Sequence, residues 1–483
     1  LPSLSFVSTA HTVIINGAKP IFVDVDPDTF CIDVTKLEAA ITPKTKAIFS
    51  NVTIIGPYRG SLTNAVGAGG TGAGFKRAAR IRRNSELKIF NSILMDFGTG
   101  LHIDGVTTEA NATNGLLKFK NNILSGYFSS KGQVGEVNSG STFDIKTFIK
   151  NNNNDTVPLT AGILINPYAL DDNNSDFRPG TLASSGASFT DPAFSGLVLS
   201  SYINKVEYRG AFAPAPSPMW TSGWTEYNPQ TKAYGTANVN VDGITVGTVV
   251  GSDVHITTNT TFTSNNIYLL KGAVYVDSLV TLTIEPGTVI RGDNIVANSS
   301  LIIRRGAKLL AEGTPCNPIV FTSNKVAGSR LPGDWGGIIL LGRGSVNQTG
   351  GVSNIEGLTI ANQTQFGGGS TPNDADTSGI LKYVRIEYGG YVFTANKEIN
   401  GLTMGAVGSG TVIDYVQCSF INDDSFEWFG GKVNCSHLIA YKGTDDDFDT
   451  DFGYSGNVQF ALSLRDPQLF DPTYAAASGA STS

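Results

Sequence analysis

The chain has 483 residues, a formal net charge of −7 and 16% charged residues, whereas glycine occurs 56 times. Proteins that bind nucleic acid carry clustered Lys and Arg, so this composition gives no reason to expect such a partner. The longest apolar runs fall short of the roughly 18 residues that a membrane-spanning helix requires. Frequent glycine and few helix formers instead predict an all-β chain of short strands and tight turns.

The start of the sequence and its cysteines set two further expectations. The chain begins without Met or a signal peptide, which indicates a mature or partial chain. Its four cysteines show no CxxC spacing and therefore no metal-site pattern. Because free Cys behaves as a small apolar core residue, we expect buried free thiols. Cys418 and Cys435 are 17 residues apart and should not stack on one another.

Residues 1–49 differ from the rest because they have an α/β pattern, with two apolar strands followed by a helix that Asp33 would cap. The stretches Pro2–Ala10, Gly17–Phe30 and Ala40–Ile48 resemble the DegT/DnrJ/EryC1/StrS family of PLP-dependent sugar aminotransferases. In that family the Schiff-base lysine lies in a downstream segment that has no counterpart here. The resemblance therefore implies a fused or misassigned fragment without PLP or transaminase activity.

Residues 50–235 form the second predicted segment, which is built from strands and turns. Leu87–Leu94 is echoed by Leu117–Leu124, with an Asn at each turn, where Asn tolerates left-handed backbone geometry. The Asn- and Ser-rich residues 151–190 predict an irregular surface excursion. Tyr202–Tyr208 is predicted as one more strand, and Pro214–Pro229 as a segment that wraps over the end of the fold.

Residues 236–483 form the third predicted segment. Leu282–Ile290 is echoed by Leu301–Leu310, and the glycines at 287 and 306, which are 19 residues apart, predict one repeat. Asp423–Glu427 then returns as Asp445–Asp449 after 22 residues. A period of about 20 to 25 residues with a strand in each unit is typical of a parallel β-solenoid. The repeat predicts that Phe426 lies directly above or below Phe448.

Residues 50–483 resemble the secreted or lipid-anchored β-helix proteins of unknown function from Bacteroidetes-type bacteria. The resemblance rests on the stretches Pro332–Gly337, Val384–Gly390, Glu398–Thr403, Asp423–Gly431 and Asp445–Gly453. It implies a right-handed parallel β-helix with irregular surface loops, in addition to the small α/β-like N-terminal segment. It also implies an extracellular or cell-surface location.

The order of the two halves is reversed relative to that family, with the seam between Ser483 and Ser50. Three interpretations follow from this permutation. The halves can join within one molecule, they can complete one another between molecules stacked coaxially into a filament, or the sequence can be wrongly assembled. Uncapped solenoid ends expose strand edges, which favours head-to-tail growth.

The acidic repeat provides the candidate site. Carboxylates on consecutive repeats should lie close together, and like charges raise one another's pKa unless a cation intervenes. Ca²⁺ takes six to eight oxygen ligands and would neutralise such a cluster. Alternatively, the Asp side chains cap turns while Lys432, Lys442 or Arg465 balances their charge. The candidate metal ligands are Asp423, Asp424, Glu427, Asp445, Asp446, Asp447, Asp449 and Asp451.

We expect an extracellular structural or adhesive protein with cation-stabilised turns, which assembles end to end into filaments. The rival function is a polysaccharide lyase or glycoside hydrolase with Asp445, Asp449 and Lys442 as catalytic residues. In that case Trp335, Trp428 and Phe429 would stack on sugars. The alternative for the aromatic residues is an internal stack of Phe426, Phe448 and Phe452, with Trp428 packed beneath a loop.

Overall fold

The computed structural model consists mostly of short parallel strands, with few helices. It describes residues 45–58, 75–126, 133–169, 174–196, 202–234, 239–240, 254–355, 358, 363–394, 397–467 and 469. The predictions for residues 1–44, for the Gly-rich stretch 67–74 and for residues 241–253 therefore lie outside the described residues.

The described strands fall into two groups in chain order. The first group is β1 (Ile48–Ser50), β2 (Thr53–Ile55), β3 (Arg77–Ile81), β4 (Lys88–Phe90), β5 (Ile93–Met95), β6 (Thr99–Ile103), β7 (Lys118–Lys120), β8 (Ile123–Ser125), β9 (Gln133–Val137), β10 (Asp155–Val157), β11 (Leu164–Asn166) and β12 (Asp176–Pro179). The second group is β13 (Val239–Asn240), β14 (Val254–Ile256), β15 (Thr260–Phe262), β16 (Ile267–Leu270), β17 (Ala273–Val276), β18 (Thr281–Ile284), β19 (Val289–Gly292), β20 (Ser300–Ile303), β21 (Lys308–Glu312), β22 (Ile319–Ser323), β23 (Gly337–Leu341), β24 (Ser353–Asn354), β25 (Gln365–Phe366), β26 (Gly379–Glu387), β27 (Val392–Thr394), β28 (Lys397–Glu398), β29 (Leu402–Gly405), β30 (Val412–Ser419), β31 (Phe426–Phe429), β32 (Asn434–Tyr441), β33 (Phe448–Asp451) and β34 (Asn457–Leu464).

Two α-helices accompany these strands, α1 (Val106–Thr113) and α2 (Ile145–Asn151). Short 3₁₀ turns occur at Pro192–Phe194, Pro229–Thr231 and Thr349–Gly351. Asp144 caps α2 by accepting a hydrogen bond from the Thr147 amide at 3.0 Å. Neither α-helix of the described chain is long and apolar enough to cross a membrane.

Three ladders of parallel strands organise residues 254–464. Ladder A contains β15, β18, β21 and the first halves of the long strands β26, β30, β32 and β34. Ladder B contains β16, β19, β22 and the second halves of the same long strands. Ladder C contains β14, β17, β20, β23, β29, β31 and β33. The chain visits A, B and C in cyclic order, and one such pass is called a rung below.

Left-handed backbone geometry marks the corner between ladders A and B. Asn51, Asn91 and Asn121 have φ of 54°, 55° and 58°, which agrees with the predicted role of Asn at these turns. The side chains that point inward from the ladders form a continuous apolar core, which extends from Ile256 to Leu124. The buried, partnered strands explain the apolar alternation of the sequence.

The permuted halves meet within one molecule. In ladder A, β1 pairs with β34, and Phe49 lies opposite Val458. In ladder B, β2 pairs with the other end of β34, and Ile54 lies opposite Ser463. Strands β4 and β5 then continue these ladders from β1 and β2. Of the three interpretations of the permutation, these pairings favour joining within one chain, while Ser483 itself lies outside the described residues.

The echo between Leu87–Leu94 and Leu117–Leu124 is confirmed, because Ile89 lies opposite Phe119 and Ile93 lies opposite Ile123. The echo of Leu282 by Leu301 is wrong. Leu282 pairs with Leu309 in ladder A, whereas Leu301 lies in ladder C. Each rung has several corners, and a Gly turn at two different corners produces the same local sequence without producing the same register.

Ladder C is interrupted at the seam. Strands β3, β6 and β9 follow β2, β5 and β8 along the chain, but they form a separate parallel sheet. Among the described residues, β33 pairs with β31 alone. Helix α2 packs against β9, where a Cβ atom added to Gly135 would lie 2.8 Å from Ile145 Cγ1. One end of the strand stack is thus covered by a helix.

Residues 202–234, here called the strap, run along the outside of the ladders. The strap contacts the lower rungs where the Gly210 amide donates to the Asn91 carbonyl at 2.8 Å. It ends at Tyr234, whose hydroxyl donates to Glu387 Oε1 at 2.7 Å. The predictions for this region are therefore wrong in two respects. Tyr202–Tyr208 is not a strand, and Pro214–Pro229 lies along the side of the ladders, not over their end.

The described cysteines are free, as predicted. Cys418 and Cys435 are buried and out of register with one another, because Cys418 lies opposite Ala440 and Ile413 lies opposite Cys435. Burial raises the pKa of both thiols. Cys316 is exposed, which departs from the expectation of a buried thiol.

Candidate functional site

The acidic repeat lies where ladder C begins in two successive rungs. Strands β31 and β33 pair in parallel with Phe426 opposite Phe448 and Glu427 opposite Asp449. The two phenyl rings are 5.7 Å apart and nearly parallel, so the predicted stacking of Phe426 on Phe448 is confirmed. Because side chains alternate along a strand, the aromatic residues face the core and the acidic residues face outward.

The inner group of carboxylates consists of Asp424, Glu427 and Asp449. One oxygen from each lies within 4.8 Å of the others. Asp424 and Glu427 are each only 8% exposed, so water can screen their charges very little. Among the described residues, neither Asp424 nor Asp449 has a salt-bridge partner.

The outer group consists of Asp423, Asp424 and Asp445, whose oxygens likewise lie within 4.8 Å of one another. Asp424 therefore belongs to both groups. Its Oδ1 accepts a hydrogen bond from the Asp446 amide at 2.8 Å, which ties the two turns together. The sequence repeat thus brings together five of the eight predicted metal ligands.

The electrostatics of this corner disfavour ionised carboxylates in the absence of a cation. Burial raises the pKa of Asp424 well above its ordinary value, and the nearby charge of Asp423 adds to the effect. Burial, followed by the charges of Asp446 and Asp451, raises the pKa of Asp449 to about 7. Arg82 opposes this shift at Asp449.

The other predicted ligands have separate partners. Asp447 pairs with Arg465 at 2.9 Å and accepts a hydrogen bond from Ser463. Asp451 pairs with Arg83 at 3.0 Å. The backbone amide of Asp446 contacts Asp424, but its carboxylate belongs to neither group. Charge balance by Arg465 and turn capping therefore account for part of the acidic repeat, as the alternative interpretation held.

Sequence reasoning missed Asn400, which precedes β29 in the rung above. Its Nδ2 donates a hydrogen bond to Glu427 Oε2, so the amide is directed into the inner group. Asn400 is 2% exposed, and its Oδ1 has no hydrogen-bond partner within the described part of the chain. No sequence signal could have identified it, because the excursion between β26 and β29 breaks the 22-residue spacing.

The proposed catalytic residues have other contacts. The ammonium group of Lys442 pairs with Asp466 at 2.9 Å and lies over the rings of Phe420 and Tyr441. Asp445 and Asp449 belong to different carboxylate groups. This geometry does not supply the convergence of Lys442 with both carboxylates that proton abstraction would require.

The aromatic residues that were considered as sugar-stacking surfaces face the interior. Trp335 and Trp428 are buried at 1% and 0% exposure, and Phe429 is also buried, so none offers a free ring face. Trp428 stacks on Phe426 in the core. Phe452 packs on Phe366 and Phe429, outside the stack of Phe426 and Phe448 in which it was predicted.

Comparison with known families matches two parts of the chain. A family model for pectate-lyase-like β-helix domains matches residues 254–469. The model for the DegT/DnrJ/EryC1/StrS aminotransferase family matches residues 1–58. The second match overlaps β1 and β2, so part of it takes part in the strand ladders. No solved structure gives a significant match.

The curated relatives all match the N-terminal piece. The chain is 57% identical over 47 residues to UDP-2-acetamido-2-deoxy-3-oxo-D-glucuronate aminotransferase of Pseudomonas aeruginosa, which is 10% of this chain and 13% of the relative. It is 58% identical over 45 residues to the spore coat polysaccharide biosynthesis protein SpsC of Bacillus subtilis, which is 9% of this chain and 12% of the relative. The chain therefore spans about an eighth of the length of these relatives, and the matches do not establish PLP binding.

Proposed function

We propose that this protein is an extracellular, non-enzymatic structural protein, folded as a right-handed parallel β-helix, that binds Ca²⁺ at its acidic corner. The observation that carries the proposal is the meeting of Asp424, Glu427 and Asp449 within 4.8 Å on neighbouring strands. The ion would act as a structural link between rungs, with no role in turnover.

The cyclic order of ladders A, B and C supports the β-helix. Each rung adds one strand to each ladder through parallel pairing, which is the growth pattern of a solenoid. The match of residues 254–469 to a pectate-lyase-like β-helix domain agrees with this fold. Residues 50–235 and 236–483 would then be two halves of one β-helix, preceded by the aminotransferase-like fragment 1–49.

The chemistry of the corner supports a hard divalent cation. Every charged ligand is a carboxylate, and Ca²⁺ prefers oxygen ligands in flexible arrangements of six to eight. Bound Ca²⁺ would keep ionised the groups whose pKa burial now raises. Thiolate or imidazole ligands, which transition metals favour, are absent from both carboxylate groups of the described chain.

An enzymatic function is not part of the proposal. The pectate-lyase-like match raises the possibility of polysaccharide cleavage, but fold alone does not carry activity. Lys442, the base that such a reaction would use here, is already engaged by Asp466. Filament growth also lacks support, because helix α2 covers one end of the stack that coaxial pairing would need.

Thermal unfolding of the full chain at pH 7.5, in EDTA and in millimolar CaCl₂, tests the proposal. Because Ca²⁺ would bind the folded form alone, a concentration of about 100 times Kd should stabilise that form by about 2.7 kcal/mol. Asp424→Asn should abolish the rise in Tm. The matched control Asp374→Asn, which removes a carboxylate paired with Lys432 elsewhere, should retain it. An identical Tm with and without Ca²⁺ would overturn the proposal.

A further inference from the structure

The two carboxylate groups contain more negative charge than one divalent ion can neutralise. Together they comprise five carboxylates, Asp423, Asp424, Asp445, Glu427 and Asp449. One Ca²⁺ would leave a formal charge of about −3 in a partly buried corner, which is costly at low local dielectric. Arg82 faces only Asp449, at the edge of the inner group.

Asn400 provides an observation that is independent of the acidic cluster. Its side chain is directed at Glu427, is 2% exposed and leaves Oδ1 without a hydrogen-bond partner in the described chain. A buried polar atom without a partner costs free energy that native structures usually avoid. Amide carbonyl oxygens are ordinary Ca²⁺ ligands, so an ion beside Glu427 would satisfy this atom after a rotation of the amide.

We propose that the corner binds two divalent cations that share Asp424. The inner cation is held by Asp424, Glu427, Asp449 and the side-chain oxygen of Asn400. The outer cation is held by Asp423, Asp424 and Asp445. This inference rests on the proposed function and adds to it the number of ions and a neutral ligand that the acidic repeat does not contain.

The two ions would have different structural roles. The inner ligands come from three consecutive rungs, because Asn400 precedes β29, Glu427 lies in β31 and Asp449 lies in β33. The outer ligands come from two turns that the bond between Asp424 and the Asp446 amide already joins. Loss of the inner ion should therefore loosen ladder C more than loss of the outer ion.

Calorimetric titration of the EDTA-treated full chain with CaCl₂ measures the number of ions directly. Two bound ions per chain are expected. Glu427→Gln should remove the inner ion and Asp423→Asn the outer ion, and each variant should retain one. Asn400→Leu should weaken the inner ion at least tenfold, whereas Asn400→Asp, which keeps an oxygen there, should bind two. The control Asn434→Leu, whose amide bonds to Asn457, should behave as wild type.

The wild-type stoichiometry decides the inference even if a variant fails to fold. One bound ion that raises Tm would overturn the two-ion arrangement and leave the proposed function standing. An Asn400→Leu protein that folds and binds both ions with wild-type affinity would overturn the assignment of Asn400. No detectable binding at all would overturn both proposals.

Discussion

Asp449 makes the stability of the protein depend on pH in a direction unusual for a carboxylate. Its pKa is raised from 3.8 to about 7, first by burial and then by the charges of Asp446 and Asp451. The folded form therefore holds the proton more tightly than the unfolded form. Between about pH 4 and pH 7 the folded form binds more protons, so stability falls as pH rises.

We expect the Tm of the wild-type chain in EDTA to fall between pH 5 and pH 8. Saturating Ca²⁺ should remove most of this fall, because the ion stabilises the ionised carboxylates. Asp449→Asn should flatten the profile in EDTA, while Asp374→Asn should keep it. Differential scanning calorimetry at constant ionic strength measures these slopes. A wild-type Tm that rises over this range in EDTA would contradict the argument.

At the residue scale, sequence reasoning was successful where the repeat length is constant. Phe426 and Phe448 are 22 residues apart in rungs without insertions, so their alignment follows from the spacing. Asn400 belongs to a rung that contains an excursion, and no residue stands at the corresponding spacing. Which aspartates pair with Arg83 or Arg465 depends on the neighbouring rungs, which the local acidic pattern does not reveal.

At the element scale, the strap is attached to the ladders by two glutamine side chains. Gln417 accepts from the Glu226 amide at 3.0 Å and donates to the Glu226 carbonyl at 2.7 Å. Gln459 makes the same pair of bonds to Asn204, each at 2.8 Å. Both glutamines are almost fully buried, so each replaces a strand neighbour that the strap itself does not provide.

We expect Gln417→Leu and Gln459→Leu to release the strap locally, because each change leaves a buried amide and carbonyl of the strap unpaired. Each unpaired group costs about 1 to 3 kcal/mol. Limited proteolysis should cut residues 202–234 several-fold faster in both variants while the ladder strands stay protected. Asn434→Leu is the control on the same face. Equal cutting rates in all proteins would show that these bonds do not hold the strap.

The strap also shows where sequence reasoning about elements fails. It has no period of two or of 22, because its backbone bonds to side chains and turns, not to a strand ladder. Tyr202–Tyr208 has apolar residues at strand-like spacing, but they pack on the outside of ladder A. A pattern of apolar residues thus predicts burial correctly without predicting which backbone partners are present.

At the scale of the whole molecule, the strap carries the chain from the last rungs back to the first. Strand β10 lies at the lower end of ladder B, and β13 pairs with β16 near its upper end. The intervening residues therefore allow the reversed order of the halves within one chain. The domain boundaries at residues 49 and 235 remain predictions, since no observation tests them directly.

We expect a permuted chain, in which residues 239–469 precede residues 45–234 and residues 1–44 are removed, to fold as the natural order does. The contacts between β34 and β1 or β2 are the same in both orders. Circular dichroism, size-exclusion chromatography and the Ca²⁺ titration should give matching results for the two proteins. Aggregation of the permuted chain alone would show that residues 1–44 or the natural order are required.

The pairing of β1 and β2 with β34 also constrains how a ribosome can deliver this fold. Translation releases β1 and β2 about 400 residues before β34 (Asn457–Leu464), which is their neighbour in both ladders. The first-made half thus waits with an open strand edge, the kind of surface that pairs with other chains. A chaperone that shields extended backbone would act on this nascent half, and its need would end once residue 464 has been translated.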